Sequence, residues 1–211
     1  MTAVIVCNGS IEDYDYITKY FKGSGLIISV DGGAAHLRKL KIKPDIMVGD
    51  FDSIKKDDFD YFKGLSVEIM EFPAKKDKTD TEIAVELAIE KGFNNIVFVG
   101  GTGSRLDHSL ANILILKKLL KSGVKGTIAD KHNEITLIDS SIEIKKEKDV
   151  KITLLSLTDK TEGVTTKGLL YALNNATLEL GSSWGISNEF TEESAGITIK
   201  SGLLLVIKSR D

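Results

Sequence analysis

Two acidic residues stand two positions apart in Gly49-Asp50-Phe51-Asp52-Ser53, just after the apolar run Ile46-Met47-Val48. If that run is a strand, alternate side chains share a face, so both carboxylates can leave its C-terminal end in one direction. Anions held that close repel each other. A hard divalent cation relieves the repulsion, and Mg²⁺ typically combines one or two carboxylates with phosphate oxygens of a substrate. The pair therefore suggests metal-assisted phosphate chemistry. A strand followed by a solvated, Asp-rich turn would leave the same trace.

Three further polar clusters follow apolar runs. Asp31-Gly32-Gly33-Ala34-Ala35 ends a run in an acid and two glycines, where backbone N–H groups can approach a ligand and a helix N-terminus favours phosphate. A tight strand-to-helix turn would use the same residues. Lys75-Lys76-Asp77-Lys78-Thr79-Asp80 places three lysines beside a helix start, within reach of polyphosphate oxygens; the helix dipole alone also accounts for Asp80. Gly100-Gly101-Thr102-Gly103-Ser104-Arg105-Leu106-Asp107-His108 is a glycine-rich loop opening a helix. It lacks the Gly-Lys-Ser/Thr ending of a P-loop, and Leu106 replaces the third glycine of the dinucleotide fingerprint. Arg105 offers a planar fork to a phosphate or carboxylate, and Asp107 can cap the helix or accept from a ligand. By residue type, His36 and His108 read as helix-surface or satisfied polar residues. No nucleophile elbow, His-Glu-x-x-His or Cys-His pair occurs, so covalent catalysis is not expected.

The elements that position these clusters alternate. Strands are expected at Ala3 to Val6, Leu26 to Val30, Asp45 to Val48, Val67 to Met70, Ile96 to Val99, Thr127 to Ala129 and Ile135 to Ile138. Helices are expected at Asp13 to Phe21, Ala34 to Leu40, Thr79 to Lys91 and Asp107 to Lys121. The alternation predicts an α/β domain, a mainly parallel sheet with flanking helices, over residues 1–140. Thr79-Asp80-Thr81-Glu82 predicts a capping box in which Glu82 reaches back to the cap. Over residues 141–211 short extended runs broken by Gly, Asn and Ser predict an all-β domain, ending in a hairpin around Ser201-Gly202.

With 211 residues, 42% of them hydrophobic, the chain can bury substantial cores, and 28 basic against 31 acidic side chains propose neither nucleic acid nor an anionic membrane as partner. The single cysteine, Cys7, excludes an internal disulfide and a cysteine-based zinc site. The start Met1-Thr2-Ala3-Val4 has no basic leader, and no apolar run approaches a membrane span. A cytoplasmic protein is expected.

Taken in order, Asp31-Gly32-Gly33-Ala34, Pro44-Asp45 with Gly49-Asp50-Phe51-Asp52-Ser53, Lys78-Thr79-Asp80, Gly100-Gly101-Thr102-Gly103 with Arg105 and Asp107-His108, and Gly185-Ile186-Ser187-Asn188-Glu189-Phe190 resemble thiamine pyrophosphokinases over essentially the whole chain. The resemblance implies transfer of a pyrophosphoryl group from ATP to the hydroxyethyl oxygen of thiamine, giving thiamine diphosphate and AMP. It implies Mg²⁺ among Asp50, Asp52 and Asp80. Asp31, Gly32, Gly33, Ser53, Lys78, Thr79, Arg105 and His108 would shape the nucleotide site, and Asp107 or Asp80 would stand nearest to the role of base. It further implies a C-terminal β-sandwich that dimerises, so that a composite site between two copies holds thiamine through Ser187 and Asn188, with Phe190 or Trp184 stacking on a ring. A pyrophosphokinase for another heterocyclic alcohol, such as a pterin, and a noncatalytic nucleotide-binding module are the alternatives.

Overall fold

A computed structural model describes residues Met1 to Asp211 and divides them into two compact units, Met1–Lys131 and His132–Asp211. The first unit alternates β1 (Thr2–Val6), α1 (Tyr14–Phe21), β2 (Leu26–Val30), α2 (Gly33–Leu40), β3 (Ile46–Gly49), α3 (Lys56–Gly64), β4 (Glu68–Glu71), α4 (Asp80–Glu90), β5 (Asn95–Val99), α5 (Leu106–Lys121) and β6 (Lys125–Ala129). Its strands lie in the order β4-β3-β2-β1-β5-β6, and each pairing is parallel.

Parallel strands covered on both faces must be apolar throughout, and Ala3, Val4, Ile5 and Val6 of β1 are all fully buried. The helices begin where side chains satisfy their free N–H groups. Asp13 accepts from Tyr16 N–H at 2.9 Å, and the Thr79 hydroxyl accepts from Glu82 N–H at 3.2 Å. The other half of the expected capping box is not formed. The Glu82 carboxylate accepts instead from Lys118 of α5 at 2.8 Å, which ties α4 to α5. Helix α3 was not foreseen; its buried Phe62 is flanked by charged residues that hide the apolar spacing.

The second unit is all β: β7 (Asn133–Ile138), β8 (Ser141–Lys145), β9 (Lys151–Ser156), β10 (Lys160–Lys167), β11 (Ala176–Glu179), β12 (Ser194–Thr198) and β13 (Leu204–Ser209). One layer orders β7-β13-β9 and the other β11-β10-β12-β8, with antiparallel neighbours in each. Ile152, Leu154, Leu204 and Val206 from the first layer share a core with Ile144, Val164, Leu178 and Ile197 from the second, which makes a sandwich. The hairpin expected at Ser201-Gly202 is absent. β12 pairs with β8 and β10, whereas β13 pairs with β7 and β9, so the chain crosses between layers there. Gly202 makes the crossing with a φ of +92°.

On this unit Glu147 accepts from Lys208 and from Arg210 Nη2, and Lys208 also donates to Glu134 at 2.7 Å. Burial opposes charge on Glu147, but the two cationic donors outweigh it and hold the carboxyl below its usual range. Burial likewise opposes charge on Lys208, and its two carboxylate partners more than offset this, raising its pKa. Stability from the lowered Glu147 is present above its ordinary value and is lost as pH falls through the folded value. Stability from the raised Lys208 persists through neutral pH and is lost only in strong base. Glu147→Gln should therefore lower stability at neutral pH by about 1 kcal/mol or less after allowance for solvent screening, seen as a lower thermal midpoint. In paired melts the difference from wild type should close as pH drops below the ordinary value of 4.5.

Candidate active site

In an open α/β sheet the C-terminal strand ends form one edge where ligands collect. Here that edge holds a cavity of about 560 Å³ lined by Cys7 to Ser10 after β1, Asp31 after β2, Asp50, Asp52 and Ser53 after β3, and Gly100 to Arg105 after β5. Asp80 and Thr81 of α4 and His108, Ser109 and Asn112 of α5 complete it.

Asp31 is the pivot of the acidic side. Its φ is +45° and its N–H donates to Val48 C=O at 3.0 Å. Phe51, in the Asp50-Phe51-Asp52 turn, has a φ of +60°, a backbone conformation that non-glycine residues rarely adopt, and its N–H favours the charged form of Asp31. Burial first, then Asp80 and Asp50, push Asp31 up to about 6, and its Oδ1 is buried without a hydrogen-bond partner. A hydrogen bond with Asp50 and the charge of Asp50 raise Asp52 in turn. Asp80 Oδ1 has a cationic neighbour, Lys76 Nζ at 2.9 Å, in an ion pair that lacks hydrogen-bond geometry.

All these donors are hard oxygens, the set that Mg²⁺ prefers; Asp31 Oδ1 has no partner, and Asp80 Oδ1 has only the Lys76 ammonium beside it. As the side chains stand, no three acidic, histidine or cysteine groups converge closely enough to hold one.

The opposite wall is largely backbone. Gly9 N–H donates to Gly100 C=O at 2.8 Å and Ser10 N–H to Thr102 C=O at 2.9 Å, so the loops after β1 and β5 extend the strand pairing. Asn112 Nδ2 donates to Gly101 C=O at 2.7 Å, Thr102 Oγ1 donates to Asp130 at 2.9 Å, and Ser109 Oγ accepts from Gly103 N–H at 3.1 Å.

Of the nominated residues, Asp31, Asp50, Asp52, Ser53, Asp80, Arg105 and His108 line the cavity. Gly32 and Gly33 open α2 behind it; a Cβ at Gly33 would lie 2.1 Å from Val6 C=O, so close packing on β1 is what demands glycine there. Lys78 Nζ is bound to Glu86 at 2.8 and 2.9 Å, and Thr79 caps α4. Asp107 is exposed and clamped by Arg105 at 2.6 Å, which holds it down to about 2, a weak base. In the second unit Ser187 and Trp184 are exposed, Phe190 packs against the core, and the Asn188 amide is spent on Tyr171 N–H, Tyr171 C=O and Glu189 N–H. Sequence reasoning missed Asn8, Ser10, Thr81, Ser109, Asn112 and Asp130. For two of these a signal existed, the polar pair Ser109 and Asn112 at i, i+3 on the helix that follows the glycine loop.

Two family models match, "Thiamin pyrophosphokinase, catalytic domain" over residues 17–128 and "Thiamin pyrophosphokinase, vitamin B1 binding domain" over residues 139–204. The chain belongs to the thiamin pyrophosphokinase family. It is 32% identical to the thiamine pyrophosphokinase of Bacillus subtilis (strain 168) over 212 aligned residues, covering 100% of this chain and 99% of that one. The crystal structure of thiamine pyrophosphokinase from Bacillus subtilis superposes with a TM-score of 0.93 at 31% identity over 100% of both chains. That of thiamin pyrophosphokinase from Geobacillus thermodenitrificans gives 0.87 at 28% identity, covering 100% of this chain and 98% of that one. With one family spanning both units, a pterin kinase or a noncatalytic module has no comparable support.

For a thiamin pyrophosphokinase, the placement of Asp31 is open to a direct test. A Cβ at Gly49 would stand 1.9 Å from Asp31 Oδ1. Gly49→Ala should displace that carboxylate, lowering turnover about 100-fold while circular dichroism stays native. Full activity in Gly49→Ala would show that the position of Asp31 is immaterial.

Proposed function

We propose that this chain transfers a pyrophosphoryl group from ATP to the hydroxyethyl oxygen of thiamine, giving thiamine diphosphate and AMP. The observation that carries the reading is a single cavity of about 560 Å³ in which four carboxylates face two backbone-lined loops. The loops after β1 and β5 offer the hydroxyls of Ser10 and Ser104 to polyphosphate oxygens, Arg105 adds positive charge beside them, and Asp31, Ser53 and His108 complete the nucleotide side. Gly32, Gly33, Lys78 and Thr79 shape that side from behind, through the starts of α2 and α4.

The alcohol oxygen attacks the β-phosphorus, the bond from that phosphorus to the oxygen shared with the α-phosphorus breaks, and AMP departs with it. The hydroxyl proton is released as the new bond forms. No enzyme-bound covalent intermediate is required, because alignment and charge stabilisation carry most of such a transfer. Asp50, Asp52 and Asp80 would hold Mg²⁺, which when bound offsets polyphosphate charge. Lys76 would yield Asp80 in exchange. The raised proton affinity of Asp31 within this cavity makes it a better proton acceptor than the strongly acidic Asp107.

The active form in this reading is a homodimer in the cytoplasm, where ATP is available, with a site completed by the second copy. Leu170, Tyr171, Trp184 and Ile186 are exposed by 52, 66, 63 and 49% and supply apolar surface for that contact. Trp184, with its ring free, suits the thiazolium better than core-packed Phe190. Ser187 would bond the aminopyrimidine, while Asn188 would act by fixing the Tyr171 turn.

Incubation with Mg-ATP and thiamine should yield AMP and thiamine diphosphate in equal amounts; ADP with thiamine monophosphate, or turnover independent of thiamine, would sink the reading. Asp50→Asn and Asp52→Asn should each lose about 100-fold or more in turnover with unchanged melting behaviour. If both stay active, the metal assignment goes.

A further inference from the structure

His36 lies outside the cavity, yet both of its ring nitrogens are engaged. Nε2 is 2.9 Å from Gly9 C=O and Nδ1 is 2.8 Å from the Tyr14 hydroxyl. A carbonyl only accepts, so Nε2 must carry the proton. Burial, working against the Gly9 carbonyl, lowers the pKa of His36, so the ring is neutral at neutral pH and its Nδ1 is bare. The hydroxyl of Tyr14 must then donate to Nδ1. The relay has one direction, from Tyr14 O–H through the imidazole to the Gly9 carbonyl.

Gly9 passes the constraint on. Its own N–H is bonded to Gly100 C=O and the next N–H, of Ser10, to Thr102 C=O. A Cβ at Gly9 would lie 2.1 Å from Thr102 C=O and 2.3 Å from Gly100 C=O, so the two loops are in direct backbone contact. Tyr14 is itself fixed: it opens α1 beside the Asp13 cap, and Lys39 Nζ covers its ring at 3.9 Å. Gly9, Ser10, Gly100 and Thr102 line the cavity; Tyr14 and His36 do not.

We infer that His36, oriented by Tyr14, is a positioning residue that latches the Gly9-Ser10 segment and, through it, the Gly100–Thr102 loop in the arrangement that binds the polyphosphate of ATP. The substrate part rests on the reaction proposed above. His36 touches neither substrate, so its removal should loosen nucleotide binding selectively and leave the carboxylate side intact.

His36→Phe should raise KM for ATP about tenfold, with kcat and KM for thiamine within about threefold of wild type. His36→Gln, whose amide can still donate to Gly9 C=O, should restore KM to within about threefold. Tyr14→Phe, which removes the hydrogen bond to Nδ1 but keeps the ring, should fall between them. Hydrogen exchange on the substrate-free protein supplies a second readout. Gly9 and Ser10 amides should exchange faster in His36→Phe while those of core β1 do not change. Unaltered exchange and KM for ATP in His36→Phe, or equal damage in the Gln and Phe variants spread through the unit, would overturn the latch. Wild-type protein that makes no AMP and thiamine diphosphate would refute the reaction instead, which keeps the two failures apart.

Discussion

The pairing of β1 on both edges is the constraint on which the cavity depends. Residues 3–6 pair with β2 on one side and with β5 on the other, and the ladder does not stop at the strand ends. Cys7 N–H continues it to Val99 C=O, Gly9 to Gly100 and Ser10 to Thr102. A register slip of one residue would turn every side chain to the opposite face and break these loop contacts together. Because all of β1 from Ala3 to Val6 is buried, its apolar contacts hold the register, and the register sets where the backbone donors of the cavity point.

The acidic wall works against that stability. Four carboxylates share the cavity; burial first, and then the charges of Asp80 and Asp50, raise the proton affinity of Asp31, and a hydrogen bond with Asp50 followed by its charge raises that of Asp52. The fold offsets part of the cost locally: Asp80 lies at the positive end of α4 and beside Lys76. The remainder is stored. A ligand that brings positive charge relieves it on binding, so such a ligand should also stabilise the folded state. Net repulsion among side chains fixed by the backbone is the physical form that preorganisation takes here.

The strands of the first unit were legible as short, mainly apolar runs, and four of its helices as periodic segments, two of them marked by the caps Asp13 and Thr79. Helix α3 was hidden, since Phe62 is its one fully buried apolar residue among Lys56, Asp57, Asp58, Asp60 and Lys63. The Ser201-Gly202 segment has the local chemistry of a hairpin, but pairing is decided by which layer has an open neighbour, and this is a nonlocal property. At the site the acids could be found from spacing, because charge must be clustered to act. The wall opposite them could not. Its working groups are backbone N–H and C=O, which every residue carries, so only the side chains that hold them, such as Asn112 and Asp130, are distinctive.

That division explains several side chains at once. Asn188 looks from its type like a ligand contact, yet its amide is consumed by the backbone of Tyr171 and Glu189. Lys78 looks like a phosphate contact and is bound to Glu86, while Asn112, inconspicuous in sequence, holds Gly101 C=O. A buried amide without partners is costly, and one that spans two backbone segments removes their freedom to part. Polar side chains next to a glycine loop are therefore worth more as fasteners than as contacts. Glycine is placed there for its small size, at the cost of backbone entropy, and something else must supply the stiffness. In this chain the acids act directly on the cavity, and the neutral polar residues act by deciding where its backbone stands.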